Sequence, residues 1–119
     1  MENINTINEL TIGYAKCIAI KSDLVNKQNL LTYVKNGNEE ELIKLNGYFR
    51  DCINLLEEII KSTAYIIKNI NTILDEHLAG LVFDVKSKTE FLNEKLNDTY
   101  FIELTNKYSA VADTNLNNL

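Results

Sequence analysis

Lys35-Asn36-Gly37-Asn38-Glu39-Glu40-Glu41 is the stretch on which the fold turns. Gly37 suits the left-handed position just past a helix end. Asn38 is a good N-cap, and Glu41 three residues later completes a capping-box pattern. Glu39, Glu40 and Glu41 fall in a first helical turn, where the helix dipole favours negative charge. The stretch therefore predicts a helix that stops near Asn36 and a second that starts at Glu39. So short a connection makes the two helices antiparallel neighbours.

Downstream, the apolar pattern is continuous. Leu42, Leu45, Phe49, Cys52, Leu56, Ile59, Thr63, Ile66, Ile70 and Ile73 follow alternating steps of three and four. This is the a/d stripe of a long helix. Ile53, Ile60, Ile67 and Leu74 repeat beside it, which widens the apolar face beyond a two-stranded seam. Such a face asks for more than one partner helix. Upstream, Ile7, Leu10, Tyr14, Cys17, Lys21, Leu24, Gln28 and Leu31 keep the same rhythm. Lys21 and Gln28 are polar intrusions, read most simply as side chains whose heads snorkel out of a slowly rotating stripe.

Beyond Ile73 the periodicity weakens. Asp75-Glu76-His77-Leu78-Ala79-Gly80 reads as a break ending at Gly80. A third helix is expected over 81–96, using Val82, Val85, Leu92 and Leu96. A fourth is expected over 100–112, capped by Asp98 or Thr99, with Phe101, Leu104, Tyr108 and Val111 inward. Residues 113–119 are polar and expected to fray. The predicted fold is all-α. It is a single domain over 1–119, a helical bundle built on a long antiparallel hairpin (3–36 and 39–75) plus one or two shorter C-terminal helices. No proline and only four glycines in 119 residues agree with long helices and disfavour an all-β chain.

Composition excludes several functions. The net charge is −5 and Arg50 is the sole arginine, so no basic surface is available for nucleic acid phosphates. No run is long and apolar enough for a membrane span, and the start lacks the pattern of a signal peptide. These points set the expectation of a cytoplasmic protein, with export by a leaderless route the exception. Cys17 and Cys52 lie far apart outside any C-x-x-C pattern and read as reduced core residues, not a disulfide.

His77 is the one histidine, so zinc spacings and di-iron Glu-x-x-His pairs are missing. Glu57-Glu58 and the Glu39–Glu41 run fall on outward faces or at a helix start, not in a convergent pocket. P-loop and dinucleotide fingerprints are absent. The expectation is a protein without catalytic, cofactor or metal site. The ten aromatic residues, all Tyr or Phe, are the more informative set, since aromatics anchor interfaces. Tyr48, Leu55, Tyr65, Phe101 and Tyr108 are the candidate partner-binding residues.

Three families share parts of this pattern. Asn36-Gly37-Asn38-Glu39-Glu40-Glu41-Leu42, followed by Leu45, Phe49, Arg50 and Leu56, resembles the hairpin of small flagellar and type III export chaperones. The likeness is one of helix layout over 36–56, and it implies a short helical protein that holds or releases a partner's helix. His77-Leu78-Ala79-Gly80 is similar to the H-x-L-K-G stretch of histidine phosphotransfer bundles, but the lysine is missing and the glycine comes one residue early. The helical-hairpin proteins of type VII secretion share the architecture, but this chain has no tryptophan for their Trp-x-Gly turn and no acid spaced as in their tyrosine tail.

The leading expectation is a non-enzymatic adaptor, chaperone or inhibitor. It would accept a helix of another protein, or of a second copy as a homodimer, in an apolar groove beside the hairpin. The last helix would fill that groove when the partner is absent. The alternatives are a self-assembling component of a phage or secretion machine and phosphotransfer on His77.

Overall fold

A computed structural model describes residues 2–118, with side chains from Ile4 onward. Five elements follow one another: α1 (Glu2–Leu30), the 3₁₀ turn η1 (Leu31–Tyr33), α2 (Glu39–Asn69), α3 (Asp75–Leu96) and α4 (Thr99–Asn117). The fold is an all-α bundle on an antiparallel α1–α2 hairpin, and the C-terminal part is two helices.

Helix α2 is the spine. Its stripe supplies Leu45, Phe49, Cys52, Leu56, Ile59, Thr63 and Ile66, all buried, with Tyr48 buried beside it. α1 contributes about one buried residue per heptad, namely Leu10, Cys17 and Leu24. Lys21 does snorkel: its ammonium lies 3.3 Å from Glu57 on α2. Cys17 and Cys52 are both buried and free. α3 runs back along the far part of α2, and its inward residues are Val85 and Leu92. α4 crosses the turn end, packing on η1, α1 and α2 through Leu104, Tyr108 and Ala112. The whole is long and thin, 55 × 25 × 17 Å.

Four boundaries differ from the sequence expectation. The first helix gives way at Leu30, not Asn36. Thr32 Oγ1 donates to Asn29 O and Val34 N–H to Leu31 O, which tightens the end into 3₁₀. The second helix stops at Asn69, although Ile70 is still buried. Asn69 and Thr72 turn their side chains onto the backbone at Tyr65 O and Asn69 O, competing with helical bonding. Asp75-Glu76-His77-Leu78-Ala79-Gly80 is not a break but the opening of α3, with Asp75 and Glu76 in its first turn. Residues 113–117 are helical rather than frayed. Asn115 Nδ2 donates to Tyr33 O at 2.6 Å and ties them to η1. Leu119 lies outside the described residues.

Gly37 also has a different reason than expected. No described glycine has positive φ. A Cβ at Gly37 would instead lie 2.7 Å from Leu42 Cδ1, 2.9 Å from Tyr108 Cε1 and 3.1 Å from Val34 Cγ1. The chain needs glycine there because Leu42 of α2 and Tyr108 of α4 come too close for anything larger.

Candidate functional site: a groove between α1 and α3

α1 and α3 both pack on α2 and run parallel to each other. Between them lies an open groove of about 540 Å³. Ile59 and Thr63 of α2 form its floor. Leu10, Cys17 and Ile20 on one side and Val82, Val85 and Leu92 on the other form its walls. The α1 wall extends from Thr6 to Ile20, about 21 Å at 1.5 Å per residue. That volume holds a row of side chains rather than a whole helix.

Gly13 opens the α1 wall. A Cβ there would meet nothing within 4 Å, so packing inside the chain does not demand glycine. Each wall carries one charge of each sign: Glu9 and Lys16 on α1, Lys86 and Glu90 on α3. None of the four is in an ion pair among the described residues. Several charges off the groove are paired, as in Lys27–Asp23, and Lys88 with Asp84 and Glu58.

The five sequence candidates do not gather here. Tyr48, Phe101 and Tyr108 serve the docking of α4. Tyr48 and Phe101 stack at 4.2 Å with ring planes 4° apart. Tyr48 OH donates to Lys95 O, and burial pushes its phenol up to about 12. Leu55 is half-buried against the core, and Tyr65 is exposed on the outer side of α2. Tyr48 lines a second, smaller recess of about 280 Å³ between α1 and α4. The last helix is therefore docked, but not in the α1–α3 groove. Aromatic content drew attention to the α4 contact. The groove is built from Leu, Ile, Val, a glycine and scattered charges, and its one sequence signal is Gly13 amid the α1 stripe.

The α4 contact has an unusual centre. Asn38 Oδ1 accepts from Glu41 N–H at 3.0 Å, as a capping box requires. The reciprocal half is taken by another group. Asn38 N–H donates to Tyr108 OH at 3.1 Å, and Tyr108 OH donates to Glu41 Oε1 at 2.7 Å. Lys107 Nζ, 2.9 Å away, also donates to Glu41 Oε1. Hydrogen bonds from Lys107 and Tyr108 hold the Glu41 carboxyl below its ordinary 4.5. The folded carboxyl binds its proton less tightly than the unfolded one. Its contribution to stability is thus complete above the unfolded glutamate's range and is lost as pH falls through the folded pKa. The Tm of the wild type should exceed that of Glu41→Gln at neutral pH, and the gap should close as the pH drops below 4.5. A gap that stays constant in thermal melts across that range contradicts this account.

Neither cysteine is poised as a nucleophile. Burial pushes both thiols up, away from the thiolate form. His77 stands exposed in the first turn of α3. No cluster of metal-ligating residues occurs among the described residues, and no helix among them is long and apolar enough to cross a membrane. No family model, curated protein or solved structure matches the chain.

Proposed function

We propose that the protein is a non-enzymatic adaptor or chaperone that holds one amphipathic helix of another protein in the α1–α3 groove. The observation that carries this reading is the groove itself: an apolar floor between two walls whose four charges form no ion pair among the described residues. The occupant would be a helix of about four turns, matching the 15 residues from Thr6 to Ile20. One face would carry medium-sized apolar residues into the groove. Its flanks would carry both signs of charge, acids to meet Lys16 and Lys86 and bases to meet Glu9 and Glu90. Gly13 would let the partner backbone come close.

Gly13→Tyr tests this. Its Cβ enters open space, so the fold should keep or raise its Tm while the ring fills the groove. Affinity capture from the native host should recover one protein in near-equal amount with the wild type. Gly13→Tyr should lose that protein, and Phe83→Ser, on the outer face of α3, should keep it. A synthetic peptide of the partner's helix should then bind the purified wild type and not Gly13→Tyr. A partner retained by Gly13→Tyr, or none recovered by the wild type, overturns the reading.

A further inference from the structure

We infer that α4 swaps between two copies of this chain by straightening at Asn97 and Asp98, giving a domain-swapped dimer joined by two continuous α3–α4 helices.

The hinge is confined to Asn97 and Asp98, and the ψ of Asp98 is its largest departure from a helix. Asn97 at φ −97°, ψ 6° still donates its N–H to Asn93 O in helical fashion. Asp98 has φ −68°, already helical, and only its ψ of 113° departs from the helical value near −42°. Thr99 then starts α4. Neither glycine nor proline stands between Leu81 and Asn118, so nothing in the covalent chain forbids one helix from Asp75 to Asn117. The bend is held by Asp98 as N-cap, its Oδ1 accepting from Tyr100 N–H at 3.0 Å, and by the docking of α4 itself.

What α4 touches decides whether the exchange is feasible. It packs mainly on η1, α1 and α2. Its anchors are the Tyr48–Phe101 stack, the Tyr108 contact with Asn38 and Glu41, and the Asn115–Tyr33 hydrogen bond. All are made to residues 33–48, so a second chain's α4 can form every one of them unchanged. A swap that conserves its contacts costs mainly the entropy of association, which rising concentration offsets. The joined helix of 43 residues would be about 65 Å long at 1.5 Å per residue, longer than the whole monomer at 55 Å. The swap leaves the α1–α3 groove as it is, so this inference stands independently of the adaptor reading.

Two substitutions push the hinge in opposite directions. Asp98→Ala removes the cap and favours the straight form. Thr99→Pro fixes the bend, because proline suits the first position of a helix and Asp98 already has the extended conformation that precedes proline. Size-exclusion with light scattering in a concentration series reads the outcome. Asp98→Ala should raise the ratio of dimer to 13.6 kDa monomer at least about tenfold over the wild type. Thr99→Pro and the double variant should stay monomeric, and X-ray scattering should show the dimer to be longer than the monomer. Wild type refolded from denaturant at high concentration should yield dimer where Thr99→Pro refolded alongside does not, an arm that needs no folded Asp98→Ala. A double variant that dimerises as readily as Asp98→Ala overturns the inference, as does equal dimer from refolded wild type and Thr99→Pro.

Discussion

Tyr108→Ala is expected to lower stability by about 3–5 kcal/mol and the Tm by on the order of 10–20 °C. Tyr108 is 2% exposed and is among the largest fully buried side chains. Removing it leaves a cavity under α4 and takes away the acceptor for Asn38 N–H and a donor to Glu41. Tyr108→Phe keeps the ring and should cost about 1–2 kcal/mol, the share of the hydrogen bonds. The loss has a ceiling. Once it exceeds what docks α4, the helix leaves and the hairpin with α3 remains. A free 19-residue helix is marginal in water. Hydrogen exchange of Tyr108→Ala should therefore show the α4 amides unprotected while those of α2 stay slow. Uniform acceleration in both helices would mean that α4 is not a separable unit.

Gly37→Val carries the second large effect, a loss of about 3 kcal/mol. The added side chain meets Leu42 and Tyr108 at distances no Cβ tolerates and presses on Val34. Leu42 and Val34 are partly buried, and the contacting atoms are the ends of flexible side chains. Tyr108 cannot turn aside, because its hydroxyl is bonded on both sides. Gly80→Ala in α3 should do the reverse, since its Cβ enters open space and alanine is the better helix former. The gain there should be about 0.5–1 kcal/mol. Chemical denaturation of the two variants checks the contrast. If both lose stability by similar amounts, the crowding at Gly37 is not the cause.

Part of this was legible from residue order. The spine was, because α2 buries its stripe on one long helix and the period survives thirty residues. Asn38 was, because a cap is a local contact. Local contacts misled at Asn69, where Ile70 and Ile73 prolong the apolar rhythm although the side chains of Asn69 and Thr72 end the helix. They misled at Gly37 too, where the crowding comes from Leu42 and from Tyr108 some seventy residues away. The groove was legible only as an expectation of apolar surface beside the hairpin. Which helices wall it depends on where α3 and α4 land, and no periodicity states that.

The anchors of α4 have a consequence for the order of assembly. Asn38 pairs with Tyr108 and Tyr33 with Asn115, contacts that close loops of 70 and 82 residues. The α1–α2 and α2–α3 packings join helices that are neighbours in sequence. Loop closure over long separations costs more entropy and comes late. On a ribosome α4 also emerges after α1, α2 and α3. For that interval the nascent chain is a three-helix sheaf with the Tyr48 ring bare at its turn end. A cell holding many such chains at once, as on one crowded messenger, presents each bare end to the newly finished α4 of a neighbour.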